Sequence, residues 1–238
     1  IIPVGSLEAH GPHLPLGTDT IEVYETNGQT YLVTANEGDS RDYDAWTEEF
    51  RVKDLQIDGQ AFPNAATLQL DENLGRLGVT STMGVSNDCN PSDVTTDVET
   101  ACSYSALYTF GGRSMSVFQV TDTGLKMVFD TGSQMEQEVA KTYAADFNSN
   151  NDENDSFDKR SDNKGPEPEG LALGQVDGKT YAFVGLERQG GLMVYDITNP
   201  EQTQFVQYIT TRDFALPNED DLLVTSDLGP EGVYFIPS

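Results

Sequence analysis

The stretch Glu169-Gly-Leu-Ala-Leu-Gly-Gln-Val-Asp-Gly178-Lys-Thr-Tyr181-Ala-Phe-Val-Gly-Leu-Glu187 decides the fold, because the chain contains it more than once. With Asp19 aligned on Glu169, Gly28-Gln-Thr-Tyr31 falls on Gly178-Lys-Thr-Tyr181 and Glu37 falls on Glu187. The acid-to-tyrosine spacing is 12 in both copies, and the tyrosine-to-glutamate spacing is 6. A third, partial copy opens at Gly229-Pro-Glu231-Gly-Val, matching Pro168-Glu169-Gly-Leu171. A second alignment sets Ala106-Leu-Tyr-Thr-Phe-Gly-Gly and Ser116-Val-Phe-Gln-Val beside Tyr181-Ala-Phe-Val-Gly and Met193-Val-Tyr-Asp-Ile197. Apolar residues alternate with polar ones over runs of four to six, punctuated by Gly, Asp and Asn, which is the pattern of short half-buried strands. Two segments depart from it. Trp46 and Phe50, and Met135, Val139 and Tyr143, recur at four-residue intervals and predict short helical inserts.

A unit of three or four consecutive strands, repeated, is the signature of a β-propeller blade, since stacking blades covers both faces of each sheet. The expectation is therefore an all-β chain: a β-propeller of about four blades, incomplete at both ends, with inserts near residues 40–65 and 133–165. Exposed edges on such a set make it part of a larger ring.

The charge limits what the chain can do. Forty Asp and Glu against 13 Lys and Arg give a net charge of −27. A surface this negative repels phosphate backbones and anionic lipid, which argues against nucleic-acid and membrane-surface roles and favours divalent cations. No apolar run reaches the length of a transmembrane helix. With no initiator Met and no signal peptide, the sequence reads as a mature or partial chain. The two cysteines, Cys89 and Cys102, form no Cys-x-x-Cys motif and have no neighbouring histidine, so zinc is disfavoured. They are either a disulfide closing a surface loop or two free thiols.

Several further marks stand between residues 19 and 238. They are Asn36-Glu-Gly-Asp-Ser-Arg-Asp-Tyr43, Phe147-Asn-Ser-Asn150, Ser161-Asp-Asn-Lys-Gly-Pro-Glu-Pro-Glu-Gly170, Gly185-Leu-Glu-Arg188, Val194-Tyr-Asp-Ile-Thr-Asn-Pro200 and Asp227-Leu-Gly-Pro-Glu-Gly232. Together they resemble the choice-of-anchor I family of secreted bacterial propeller proteins. The resemblance implies a seven-bladed type of ring and an extracellular or cell-surface address, without a settled reaction. Residues 1–20 resemble something else. Ile2-Pro-Val-Gly-Ser-Leu-Glu8-Ala-His10-Gly-Pro-His13-Leu-Pro-Leu-Gly-Thr-Asp19 is similar to the metal-binding opening of the creatininase family. That resemblance implies divalent-metal roles for Glu8, His10 and Asp19, in which metals activate water against an amide. His10 and His13 are the only histidines and no α/β layers follow, so residues 1–18 read as a segment foreign to the propeller domain of residues 19–238.

Two other sets of side chains carry candidate chemistry. In Asp152-Glu-Asn154-Asp-Ser156-Phe-Asp158, oxygen side chains at every second position can wrap calcium, with Asp162 as an added ligand; a solvated acidic loop reads the same way. The acids of the repeat motifs (Glu37, Asp39, Glu167, Glu169, Glu187 and Glu231) form a ring at the channel mouth, where Arg41 and Arg188 can clamp an anion. The same acids also suit backbone hydrogen bonding between blades. The expected function is that of a secreted, acidic, calcium-stabilised surface or matrix binding module, whose partners are a surface or matrix component or the missing blades. The alternative is a metal-dependent hydrolase, either phosphatase- or phytase-like through the mouth acids or an amidohydrolase through Glu8, His10 and Asp19.

Overall fold

A computed structural model describes residues 4–6, 19–216 and 228–237. The chain is mostly β and divides into two compact units, Asp39–Gly111 with the strand Val4–Ser6, and the remainder. The larger unit holds two four-stranded antiparallel sheets. The first comprises β1 (Ile21–Thr26), β2 (Gln29–Asn36), β3 (Ser114–Thr121) and β4 (Gly124–Asp130). The second comprises β5 (Pro168–Val176), β6 (Lys179–Leu186), β7 (Leu192–Asp196) and β8 (Gln204–Ile209). Each is a meander in which every strand pairs with its sequence neighbour.

The first hairpin of each sheet shows why the two stretches match. Asn27-Gly28 and Asp177-Gly178 are two-residue turns closed by the pairs Thr26–Gln29 and Val176–Lys179. Their φ angles are 52° and 72°, and 51° and 77°. Two consecutive left-handed residues form the mirror-image turn whose twist fits that of the flanking strands, and Asn-Gly and Asp-Gly adopt it most readily. Beyond each turn the strands alternate faces. Tyr31, Val33, Ala35, Met115 and Val117 of the first sheet join Leu171, Ala182, Val184, Met193 and Tyr195 of the second in one buried core. Burying one such Val or Met side chain is worth roughly 1.5–3 kcal/mol. The Tyr24 hydroxyl donates to the Ile197 carbonyl at 3.0 Å, tying the two sheets at their rim. The predicted helix exists: α1 (Gln134–Thr142) inserts Met135 and Val139, one turn apart, into the same core.

Three expectations are corrected. The described residues contain two complete four-stranded sheets where about four blades were expected. Leu107–Phe110 is not a blade strand: Leu107–Thr109 pairs in parallel with Val4–Ser6 inside the smaller unit. That unit is an insertion between β2 and β3, far longer than the insert read near residues 40–65, and it carried the second alignment out of register. The pairing of Ser116–Val120 with Met193–Ile197 was nevertheless sound, for both lie in or at the end of a third strand. Trp46–Phe50 is also not a helix, since Trp46–Thr47 pairs with Asp42–Tyr43 and Glu49–Arg51 with Gly78–Thr80. A four-residue spacing is even, so it places two aromatics on one side of extended chain as readily as on one face of a helix.

The smaller unit has its own core around Val52, Phe62, Val79, Tyr104 and Leu107. Cys89 and Cys102 form a disulfide there, with Cα atoms 5.2 Å apart. In the larger unit, residues 228–237 run over the outer face of the second sheet, with the Phe235 ring stacked on Phe183 at 5.7 Å. Glycines make this approach possible. A Cβ on Gly170 would stand 2.6 Å from the Glu231 carbonyl oxygen, and one on Gly185 would stand 2.6 Å from that of Pro230.

Candidate functional site

The repeat places acids at the same end of both sheets. Glu37 follows β2 by one residue, and Glu187 follows β6 by one. Asp19 precedes β1 and is anchored by its amide, which donates to the Ala35 carbonyl at 2.9 Å. Glu169 is the second residue of β5. Glu167 sits just before β5 in a left-handed conformation, φ 56°, with the Glu187 amide donating to its carbonyl at 2.8 Å. One carboxylate oxygen from each of Asp19, Glu37 and Glu169 lies within 4.8 Å of the others, and the same holds for Glu37, Glu167 and Glu187. Glu37 belongs to both groups, so five acids form one continuous centre.

Three bases hold its inner side. Arg160 donates through both Nε and Nη2 to Glu167 Oε1, and Arg188 Nε donates to Glu167 Oε2 at 3.2 Å. Lys164 Nζ donates to Glu37 Oε1 at 2.5 Å and lies 3.5 Å from Glu167 Oε2. Arg188 also reaches Glu187 Oε1 at 3.0 Å and Asn151 Oδ1 at 3.0 Å. Glu167 is fully buried. Burial by itself would raise its pKa, but Lys164, Arg160 and Arg188 outweigh burial and hold it below the usual carboxylate range.

The outer side is short of positive charge. Burial pushes Glu37 up to about 8, against the opposing pull of Lys164. Glu169 is pushed up to about 7 by burial and then by the negative charges of Glu187, Asp19 and Glu231. Burial raises Glu187 as well, with Arg188 opposing. Glu169 Oε2 is buried and has no hydrogen-bond partner among the described residues. Five carboxylates facing three bases leave two uncompensated negative charges when all are ionised. Such a centre either takes up protons near neutral pH or accepts a hard cation, for which carboxylate oxygens are the preferred ligands.

Other predicted residues lie elsewhere. Arg41 and Asp39 belong to the insertion unit. The Arg41 guanidinium is engaged by Glu48, at 3.0 Å through Nε and 2.8 Å through Nη2, and stacks over Trp46. Arg188, by contrast, stands at the centre, with its guanidinium shared among Glu167, Glu187 and Asn151. Glu231 remains near the centre through its charge on Glu169.

In the acidic loop, Asn154 accepts from Arg212 Nε at 3.2 Å and donates to the carbonyls of Asp213 and Leu216. Ser156 Oγ accepts from the Asn150 amide and donates to the Glu153 carbonyl, while Asp152 accepts from Asn150 Nδ2. Asp158 is left-handed at φ 62°. The alternation of oxygens thus ties the loop together, and Asp152 and Asp158 are not among the described acids that converge. Arg160 and Lys164 escaped notice in the sequence. The available signal was scarcity: of only 13 basic residues, three stand at this centre.

The model of the choice-of-anchor I domain matches residues 16–200. The chain belongs to the choice-of-anchor I domain family. Gigasin-3a of Magallana gigas is 33% identical over 137 residues, covering 56% of this chain and 43% of that protein. A mesenchyme-specific cell surface glycoprotein of Strongylocentrotus purpuratus is 27% identical over 207 residues, covering 78% of this chain and 26% of that protein. The chain therefore spans less than half the length of either relative. No solved structure matches.

The choice-of-anchor match begins before Asp19 and takes in the repeat. The creatininase-like reading of residues 1–20 is not borne out. Glu8 and His10 lie outside the described residues, and the Asp19 carboxylate converges with Glu37 and Glu169, which belong to the repeated motif. Among the described residues, no helix is long and apolar enough to cross a membrane.

Proposed function

We propose that this choice-of-anchor I chain is an extracellular surface module of β-propeller type that binds partners at the end of its sheets carrying Asp19, Glu37 and Glu169. A divalent cation, calcium in the first instance, completes the carboxylate centre. Two meanders with the same strand order and the same opening turn, packed on a common core, support the propeller reading. The family and the surface glycoprotein relative support the address. The observation that carries the binding site is the charge imbalance: five acids against three bases, with the Glu169 Oε2 atom buried and without a hydrogen-bond partner among the described residues. A bound divalent ion removes that imbalance with the short-range oxygen ligation calcium prefers.

Calorimetric titration of the chelator-treated chain with calcium, together with the thermal midpoint, tests this reading. One dominant site is expected, with a rise in midpoint that Glu169→Gln and Asp19→Asn both reduce. A rise unchanged in both variants moves the ion elsewhere, and no heat and no rise remove the cation. The hydrolase alternative gains no support from Arg41, whose guanidinium is held by Glu48, or from Arg188, which is shared among Glu167, Glu187 and Asn151.

A further inference from the structure

Glu37 is common to both groups of acids, and Lys164 holds it. The ammonium donates to Glu37 Oε1 at 2.5 Å and stands 3.5 Å from Glu167 Oε2, and the side chains of Lys164 and Glu37 are only 12% and 11% exposed. Arg113 brackets this pair from both ends. Its Nη2 donates to the carbonyls of Ser161 and Asn163, at 2.9 and 2.7 Å, and its Nη1 to Glu136 Oε1 at 3.1 Å. The amides of Arg113 and Gly112 donate to the Asn36 carbonyl at 2.9 and 3.0 Å. Asn163 precedes Lys164 and Asn36 precedes Glu37, so one residue fixes the backbone beside each partner. Arg113 is left-handed at φ 53°. Gly165, the residue after Lys164, has φ 64°, and a Cβ there would stand 3.0 Å from Glu136 Oε1 and 3.2 Å from Arg113 Cδ. A glycine at this position lets the loop close on the guanidinium.

We infer that Lys164 is a built-in competitor of the divalent ion for Glu37, and so sets the affinity and the charge selectivity of the centre, and that Arg113 is the positioning residue that aims it. The inference rests on the cation reading above and deepens it. An ammonium and a metal ion bound to one carboxylate repel each other at close range, so the ion enters by taking Glu37 from Lys164. A monovalent ion exchanges one unit charge for another and gains little. A hard divalent ion brings twice the charge, ligates Glu37 together with Asp19 and Glu169, and leaves the ammonium with Glu167. The centre thus discriminates by charge through a side chain it already contains.

Trace acetylation of lysines, read by peptide mass spectrometry, tests it beside calorimetric titration of the same samples. In chelator Lys164 is expected to label far more slowly than the exposed Lys126. Calcium is expected to raise labelling at Lys164 severalfold, and sodium at equal ionic strength to leave it unchanged. Lys164→Met is expected to bind calcium about tenfold more tightly, the scale of one like charge removed at close range, while its thermal midpoint in chelator falls. Arg113→Met is expected to speed labelling of Lys164 in chelator and to tighten calcium binding, yet to add nothing in the Lys164→Met background. Weakened binding together with lowered stability in both variants means a merely structural role and overturns the inference. Calcium heat in the wild type with Lys164 labelling unmoved overturns the competition and leaves the cation reading standing. Absence of heat in the wild type and in both variants removes the cation and the competition together.

Discussion

Glutamine at position 169 is expected to stabilise the cation-free protein at alkaline pH and to flatten its pH dependence. Glu169 is held at about 7 in the folded chain, above its ordinary 4.5. A group with a raised folded pKa contributes stability that is complete below the unfolded value and is lost as pH climbs through the folded one. For Glu169 that window runs from about pH 4.5 to about pH 7. Unscreened, a shift of this size corresponds to about 3 kcal/mol at 1.36 kcal/mol per unit. Glu169 is partly open to solvent, and screening reduces the usable figure to about 1 kcal/mol. In a chain of this length that is a change of about 2–4 °C in the midpoint. Glu169→Gln cannot ionise, and its amide can donate toward Asp19 or Glu37. Thermal unfolding in chelator at pH 5 and pH 8 is the assay. The variant is expected to match the wild type at pH 5 and to exceed it by a few degrees at pH 8. A residual slope remains, because Glu37 is held at about 8. Equal destabilisation of the variant at both pH values would refute the charge-crowding account of the centre.

Two other perturbations follow from the packing. Replacing Cys89 and Cys102 by serine opens a link of sequence separation 13 in the insertion unit, and chain entropy puts the loss near 3 kcal/mol; limited proteolysis within residues 39–111 reads it. Arg212 is almost fully buried and donates to the carbonyls of Asn150, Glu153 and Arg188 at 2.6, 2.9 and 3.0 Å. Arg212→Leu leaves those buried acceptors unpaired and is expected to cost about 3–5 kcal/mol in urea unfolding, with Arg212→Lys failing to restore it because a single ammonium cannot span the fork.

Much of this molecule is local in origin and therefore legible along the chain. Alternation with period two places Tyr31, Val33 and Ala35 on one face, and Asn-Gly and Asp-Gly fix the hairpins whatever surrounds them. The acid–tyrosine–acid spacing marked equivalent strands, and the acids at their ends did prove to meet. The same local rules misread Trp46–Phe50, where an even spacing serves helix and strand alike. They also placed Leu107–Phe110 in a blade, because alternation says nothing about which strand is the partner.

What only the tertiary structure decided is which charges neutralise which. Asp19, Glu37, Glu167, Glu169 and Glu187 converge with Arg160, Lys164 and Arg188 because a meander returns distant segments to one rim. Coulomb interactions depend on that separation in space and on the water excluded from it, quantities that no spacing along the chain encodes. The same holds for Arg41, whose motif looked functional until folding brought Glu48 against it. Sequence alone determined the repeating β-meander and the acids it carries; packing determined that one fully buried glutamate is satisfied by bases while Glu169, two residues further on, is left with an oxygen to share.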